Sequence, residues 1–181
     1  MNKLLLAALA LAANAAAGGG ASAAPAQVTA QDPEALRALF TRWGFSPNPL
    51  EVHEGTPSFA VRIDEVATAI GFGGCTNNRD CADVVLITGY ADITNPPFEW
   101  LNEQNNYYEL VTLTRDERGA LQIHMAILLQ PEGISEALFR NHVEEWVAAN
   151  RAIAQRAIDA HLNQPQTAAV ARSIAPLTAR R

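Results

Sequence analysis

The sequence predicts an α+β fold: a mainly antiparallel five-stranded sheet with helices packed on it, in the order α-β-β-β-α-β-β-α. Two observations lead to this prediction. Short runs in which apolar and polar residues alternate are joined by tight turns, which is typical of hairpin-linked antiparallel strands. Before, between and after these runs, apolar residues recur every three or four positions, which is typical of amphipathic helices that pack on a sheet.

The first helix is expected over residues 33–43. Asp32 suits an N-cap and Pro33 a first-turn position, apolar residues follow at helical spacing, and Gly44 ends the pattern. Residues 45–49, which contain two prolines, predict a turn-rich connection to the sheet.

Three strands are expected next. Residues 58–64 alternate apolar and polar side chains, Asp64 and Glu65 form a tight turn, and residues 66–72 form the second strand. The third strand, residues 83–90, is apolar along a continuous stretch, which favours a central place in the sheet.

The second half of the chain predicts a helix, a hairpin and a long last helix. Residues 95–106 are expected to form the second helix, and its first turn contains the prolines Pro96 and Pro97. Two strands, residues 109–115 and 121–130, are joined by a turn in which Gly119 suits the left-handed position. Ser135 is expected to cap the last helix, whose apolar residues recur at three and four positions.

Residues 1–23 predict a cleavable signal peptide. Lys3 provides the positive charge, residues 4–17 provide the apolar stretch, and small residues in an A-x-A pattern favour cleavage after Ala23 rather than after Ala24. The alternative is an uncleaved membrane anchor, but the apolar run of about 14 residues is shorter than the roughly 20 that span a bilayer. We therefore expect a periplasmic or secreted protein with no membrane attachment after cleavage.

The remainder of the sequence divides into three parts. Residues 24–31 predict a linker of small residues, residues 32–162 predict the folded domain, and residues 163–181 predict a disordered C-terminal tail. The formal net charge is −6, and removal of the leader with its lysine leaves 12 arginines against 19 acidic residues. Nucleic acid is not an expected partner, because its phosphates require a basic surface.

Three stretches carry a resemblance to a known family. They are residues 71–75 (Gly-Phe-Gly-Gly-Cys) with the apolar strand that follows, residues 101–105 (Leu-Asn-Glu-Gln-Asn), and the hairpin at Arg118-Gly119 with the last helix and its Phe139 and Trp146. Through these stretches the chain resembles the YbjN family, which is described as bacterial sensory transduction regulators. The resemblance implies a fold like that of type III secretion chaperones and a regulatory or adaptor role, and it implies no established reaction.

Cys75 and Cys81 are the two cysteines, and they flank a predicted hairpin tip. In an exported protein an even number of cysteines favours a disulfide. Closing so short a loop stabilises the fold by about 2 kcal/mol. The alternative is a redox-active pair, although the spacing is not C-x-x-C and no helix start follows that would activate a thiol.

Other polar groups give weaker indications of chemistry. His142 lies near Glu144 and Glu145, but no motif places a nucleophile beside them, so we expect a surface histidine on an amphipathic helix. His124 is expected to be half exposed on a strand. We expect no metal and no cofactor, because the histidines lie far apart and the glycine-rich residues 71–74 lead into a hairpin rather than a helix.

One polar and aromatic stretch is the candidate for partner binding: Trp100, Asn102, Asn105, Tyr107 and Tyr108. Tyrosine and tryptophan are enriched in the cores of protein interfaces. The alternative is structural, with asparagines that end the helix and tyrosines that pack on the sheet.

The sequence thus predicts a non-catalytic module that binds an unknown protein partner as an adaptor or regulator. A homodimer is compatible with this prediction. Two alternatives stay open: a small periplasmic enzyme, either a hydrolase or a thiol redox enzyme, and a small-molecule-sensing homodimer.

Overall fold

The structure is a computed structural model that describes residues 27–160 and Leu162. The predicted signal peptide, its cleavage at Ala23 or Ala24, and the predicted disordered tail at residues 163–181 all lie outside the described residues.

The described chain contains three helices and eight strands. The helices are α1 (Pro33–Arg42), α2 (Phe98–Tyr107) and α3 (Glu136–Asp159). The strands are β1 (Gln27–Val28), β2 (Glu51–His53), β3 (Thr56–Ile63), β4 (Val66–Gly73), β5 (Asp83–Thr94), β6 (Thr112–Arg115), β7 (Ala120–Leu128) and β8 (Ile134–Ser135).

The α+β class and the antiparallel arrangement are confirmed, but the predicted number of strands is wrong. The main sheet has six strands in the order β2-β3-β4-β5-β7-β6, and a separate two-stranded sheet pairs β1 with β8. The five predicted strands are β3 to β7. The prediction missed β1, β2 and β8 because each has only two or three residues, too few to show a period of two.

The predicted linker at residues 24–31 is structured where it is described. Val28 pairs with Ile134, and Val28 and Ala30 are both buried. The backbone carbonyl of Gln31 also accepts a 2.8 Å hydrogen bond from the Asp80 N–H. This segment therefore packs on the domain instead of standing apart from it.

The predicted N-cap residues of α1 and α3 are confirmed. Asp32 Oδ1 accepts a hydrogen bond from the Glu34 N–H at 3.1 Å, and Ser135 Oγ accepts one from the Leu138 N–H at 3.2 Å. Both side chains satisfy backbone donors that the first turn of a helix leaves free. The starts of α1 and α3 are therefore set by local sequence.

The core lies between one face of the sheet and the helices α1 and α3. Alternate residues of β3, β4, β5 and β7 are buried on this face. Phe40 of α1 lies edge-on to Phe59 of the sheet and to Phe139 of α3, with ring centroids 5.8 and 6.2 Å apart. These rings join both helices to the sheet.

A buried polar network also ties α3 to the sheet. Trp146 Nε1 donates to Thr68 Oγ1 at 3.0 Å, and Asn150 Nδ2 donates to the Trp146 carbonyl at 2.9 Å. The Tyr90 hydroxyl donates to Asn150 at 3.4 Å. Burial, and secondarily the charge of Asp92, raises the pKa of Tyr90, so this hydroxyl remains a donor.

The opposite face of the sheet carries small and aliphatic side chains that remain wholly or partly exposed. In the centre of this face are Ala67 and Ala69 of β4 and Val85 and Ile87 of β5. Ala69 is paired with Ile87 and Gly71 with Val85, so these residues are neighbours across two strands. The sheet is therefore covered by described helices on one face and open on the other.

The predicted disulfide joins Cys75 and Cys81 across the tip of the hairpin between β4 and β5. Thr76 and Arg79 form a short antiparallel bridge inside the loop. Cys81 is buried and Cys75 is half buried. The disulfide therefore closes the loop at the tip of the hairpin, which agrees with a structural role.

Candidate functional site

A groove lies between α3 and the segment that leads from α2 to β6. Its largest part is a cavity of about 560 Å³. The residues that shape it are Tyr107, Tyr108, Leu110, Met125, Ala149 and Arg156. We call the whole depression the α3 groove.

Three alanines of α3 form one wall of the α3 groove: Ala148, Ala149 and Ala152. On a helix, residues three and four positions apart share a face. Side chains of this size leave space between α3 and the sheet that a leucine or phenylalanine would fill. The alanine composition of this flank therefore produces the depression.

Aromatic and cationic groups stand at one end of the α3 groove. The guanidinium carbon of Arg156 lies 4.3 Å from the centroid of the Tyr107 ring and 5.9 Å from that of Tyr108. The two tyrosine rings are nearly perpendicular, with centroids 4.9 Å apart. Tyr107 is 64% exposed, so it presents a large amphipathic ring to an approaching molecule.

The α3 groove continues toward the start of α3. A second cavity of about 230 Å³ shares Leu110 and Met125 with the first and is also lined by Leu128, Ile134 and His142. Leu110 is 52% exposed and Leu128 is 69% exposed. The groove is therefore bordered by large apolar side chains along much of its length.

The floor of this second part is an unpaired strand edge. β6 pairs with β7 only at residues 121–124, so residues 125–128 of β7 extend past it. The Leu129 N–H bonds to the Ala82 carbonyl, on the β5 side, and the Asp116 N–H bonds to the Ala120 carbonyl, on the β6 side. Since bonding direction alternates along an antiparallel strand, the N–H and carbonyl groups of Ala126 and Leu128 point away from β5 and past the end of β6.

These outward groups form no hydrogen bond within residues 27–160. The contrast with β6 is clear. Asn105 of α2 donates to the Leu113 carbonyl at 3.1 Å and accepts from the Leu113 N–H at 2.7 Å. The outer edge of β6 is thus covered by a side-chain amide, whereas the edge at Ala126 and Leu128 faces the α3 groove.

The borders of the α3 groove carry more negative than positive charge. Glu109 and Glu145 line it, and both are exposed. The positive charges there are Arg156, which stacks on Tyr107, and His142 when protonated, whose Nδ1 lies 3.6 Å from a carboxylate oxygen of Glu145. The acidic groups are thus the ones most available to a ligand.

The structure separates the five sequence-predicted binding residues. Tyr107 and Tyr108 line the α3 groove, whereas Asn105 has a structural role in covering β6. Trp100 is half buried and packs against the core, and Asn102 is exposed without lining either cavity. The structural alternative therefore fits Asn105 and Trp100, and the binding prediction retains its two tyrosines.

Sequence reasoning missed Arg156, the alanine flank and the β7 edge. The alanines give a faint signal, because three small residues occur on one flank of an otherwise bulky apolar helix. The strand edge gives none, since it arises from the difference in length between β6 and β7.

The other candidate chemical groups are dispersed. His124 lies on β7 with Nε2 3.0 Å from Thr114 Oγ1, and burial lowers its pKa. Among residues 27–160 and Leu162, no three His, Cys, Asp or Glu side chains lie close enough to hold a metal ion. In the same part of the chain, no helix has the length and hydropathy needed to cross a membrane.

In comparisons with protein-family models, curated proteins and solved structures, no match to this chain is found.

Proposed function

We propose that this domain is a non-catalytic adaptor or regulatory module that binds an extended segment of a partner protein in the α3 groove. The observation that carries the proposal is the pair of outward-facing backbone positions, Ala126 and Leu128, on the floor of an apolar groove. An extended peptide can add to such an edge as a further strand, because the edge already presents N–H and carbonyl groups at strand spacing.

Backbone pairing would supply affinity, and the walls of the groove would supply selectivity. Alternate side chains of an added strand point to opposite sides of the sheet. Those on the α3 side would meet the alanine flank and Met125, and those on the other side would meet Leu128. Tyr107 would close over the peptide at the far end, as tyrosines do in the buried centres of many interfaces.

The charge around the groove favours a segment with apolar anchors and flanking basic residues. Glu109 and Glu145 stand at its borders, and the sequence as a whole is acidic, with a formal charge of −6. Charge complementarity of this kind speeds association and discriminates against acidic partners.

The setting of this function is part of the proposal. A leader at residues 1–23 would deliver the domain to the periplasm or the outside of the cell, and the Cys75–Cys81 bridge is compatible with an oxidising compartment. An adaptor or regulatory role is also what the resemblance to the YbjN family implies.

A displayed library of random 12-residue peptides, selected against the protein, tests the proposal. We expect enriched peptides with alternating apolar residues and at least one basic flank. Binding of a selected peptide, measured by calorimetry, should weaken about tenfold or more in Ala126→Pro, which removes one outward N–H and fills the edge. Ala126→Ser keeps the N–H and is the matched control.

The outcome of this experiment is decisive in both directions. Peptides that bind Ala126→Pro and Ala126→Ser equally well would use another surface, and the strand-addition proposal would be wrong. Correct folding of the proline variant is checked by its circular dichroism spectrum, because an unfolded variant would also lose binding.

A second candidate function is suggested by the size of the main cavity. At about 560 Å³ it lies within the range of about 300–1,000 Å³ found for small-molecule sites. A small-molecule sensor would bind at the Tyr107 end without using the β7 edge. Binding of a screened small molecule that depends on Tyr107 and is unaffected by Ala126→Pro would favour this alternative.

A further inference from the structure

The face of the main sheet that no described helix covers is built largely from small and aliphatic residues. In its centre, Ala67, Ala69 and Gly71 of β4 lie beside Val85 and Ile87 of β5. The two alanines are exposed, and the other three residues are half buried. We call the outward-facing residues within 56–62, 67–73, 83–89 and 122–128 the open face.

Two shallow depressions follow the small residues of the open face. One, of about 480 Å³, is lined by Ala60, Ala67 and Ala69, and the other, of about 530 Å³, is lined by Gly71. Ile87 borders both depressions. Aliphatic side chains therefore stand beside hollows, so two copies of this surface can interdigitate.

The open face is large enough for a stable interface. β3 and β4 have 8 residues each, and β7 has 9. At about 3.3 Å per residue and about 4.8 Å between strands, four such strands cover about 500 Å² in projection. The accessible area is larger, because side chains stand out from the sheet and β2 and β6 extend it on both sides. The face therefore approaches the area of about 800 Å² that each partner buries in a stable complex.

Polar residues flank the apolar centre of the open face. On one side, Glu51 and His53 of β2 pair with outward-facing positions of β3. On the other side, Thr112 and Thr114 of β6 pair with outward-facing positions of β7. Residues paired directly across two strands lie on the same side of the sheet. An apolar centre with a polar rim is the usual arrangement of a protein interface.

The charges of the open face indicate which partner it fits. Arg62 and Asp83 are its charged residues, and they lie at opposite ends, because Arg62 pairs with Ala67 at the start of β4 and Asp83 pairs with Gly73 at its end. The face thus carries no net charge, whereas the whole chain carries a formal charge of −6. A surface of this kind fits an uncharged partner surface with one charge of each sign.

A second copy of the chain has these properties by symmetry. In a two-fold dimer each contact occurs twice, with the roles of the two protomers exchanged. An axis that lies in the interface, perpendicular to the line from Arg62 to Asp83, exchanges the two ends of the face. The arginine of one protomer then meets the carboxylate of its partner, and the two apolar centres coincide.

We propose that two copies of this chain pack open face against open face, with Arg62 of one protomer beside Asp83 of its partner. The two sheets would lie about 10 Å apart, as stacked sheets do. Helices α1 and α3 would then cover the outer side of each sheet. This dimer does not rest on the proposed function of the α3 groove.

Sedimentation equilibrium of the full chain tests for the dimer. We expect the measured mass to rise with protein concentration toward twice that of one chain. Ala69→Glu places a carboxylate in the centre of the open face and should raise the dissociation constant of the dimer about tenfold or more, because the buried charge has no partner there. Ala38→Glu, at an exposed position of α1, is the matched control and should leave the dissociation constant unchanged.

Charge reversal tests the two-fold arrangement. Arg62→Asp and Asp83→Arg should each weaken the dimer about threefold or more, because each places two like charges together. The double variant restores one pair of opposite charges on each side with reversed polarity. We expect its dissociation constant to return to within about twofold of that of the unmodified protein, which is the sign of a direct coupling between the two positions.

Three results would overturn the inference. The first is a full chain that keeps the mass of one protomer at the highest concentration that remains soluble. The second is an equal dissociation constant for Ala69→Glu and Ala38→Glu, which would assign the dimer to another surface. The third is a double charge-reversal variant that dimerises as weakly as the two single variants.

A second variant keeps the test valid if Ala69→Glu fails to fold. Folding of each variant is checked by its circular dichroism spectrum. Ala67→Glu introduces the same charge at the neighbouring outward position of β4, which is also exposed. A folded Ala67→Glu that dimerises as tightly as the unmodified protein would contradict the proposal in the same way.

Discussion

Arg156 of α3 stacks on Tyr107 of α2, with its guanidinium carbon 4.3 Å from the centroid of the ring. This contact joins the last turn of the long helix to the end of the short one and forms one end of the α3 groove. Cation–π pairs at exposed sites contribute about 0.5–1 kcal/mol. The pair therefore positions Tyr107 more than it stabilises the fold.

A double-mutant cycle checks this contact. Arg156→Ala and Tyr107→Ala should show a coupling of about 0.5–1 kcal/mol in urea unfolding. Each single variant should also weaken binding of a selected peptide. Arg118→Ala, at an exposed arginine of the β6–β7 turn, is the control and should change neither quantity. Additive effects of the two substitutions would show that the stacking contributes nothing in solution.

The Cys75–Cys81 bridge should stabilise the domain without taking part in binding. The double substitution Cys75→Ser and Cys81→Ser should lower the free energy of unfolding by about 2 kcal/mol, because the loop it closes is short. Denaturant unfolding measures the loss. A reductant should lower the midpoint of the unmodified protein and leave that of the double variant unchanged. Loss of peptide binding by a folded double variant would contradict the claim that the disulfide takes no part in binding.

Thr68→Val tests the buried network that joins α3 to the sheet. The substitution keeps the shape of the side chain but removes the oxygen to which Trp146 Nε1 donates. Leaving a buried donor without an acceptor costs about 1–3 kcal/mol, which chemical denaturation can resolve. Thr112→Val, at an exposed position of β6, should change stability by less than about 0.5 kcal/mol. Similar values for the two variants would contradict the role of the network.

Gln104 offers a test in the stabilising direction. It is 2% exposed, and its Oε1 is a buried atom without a hydrogen-bond partner. Gln104→Met removes this acceptor at similar volume, so we expect the free energy of unfolding to rise by about 1 kcal/mol. Thermal unfolding measures the change. A decrease in the unfolding temperature would show that the amide makes a favourable interaction, for example with an ordered water molecule.

His124 should make stability depend on pH. Burial lowers its pKa in the folded state, so below about pH 6.5 the unfolded chain takes up a proton more readily than the folded one. The stability associated with neutral His124 is complete above that pH and declines as the pH falls toward the folded-state pKa. The substitution His124→Gln removes this pH-dependent contribution to the free energy of unfolding.

Urea unfolding of the unmodified protein and His124→Gln at pH 7.5 and at pH 5.5 provides the comparison. We expect the unmodified protein to lose more stability than the variant over this interval. A difference between the two proteins that is the same at both pH values would contradict the assigned cause.

The fold was predictable where local sequence decides structure. Asp32 and Ser135 cap their helices as expected, and the alternation in β3, β4 and β7 separates buried from exposed side chains. β1 and β8 were not predictable, because a two-residue strand exists only through its distant partner.

The site was predictable only in part, for a related reason. Tyr107 and Tyr108 stand out in the sequence because they are two adjacent aromatic residues at the end of a polar, asparagine-rich helix. The edge at Ala126 and Leu128 depends on where β6 stops along β7, which is a property of strand pairing. Arg156 joins the tyrosines only because α3 folds back over the sheet.

The contact between the first and last helices has a consequence for the order of folding. Trp43, directly after α1, donates through Nε1 to Glu136 Oε1 of α3 at 2.8 Å, a hydrogen bond between residues 93 positions apart. Contacts of this sequence separation form late and slow the folding reaction. The aromatic cluster between α1 and α3 can therefore close only after nearly the whole domain has emerged. If residues 1–23 direct export, as the sequence predicts, this delay would preserve the unfolded state that translocation requires and leave final compaction to the far side of the membrane.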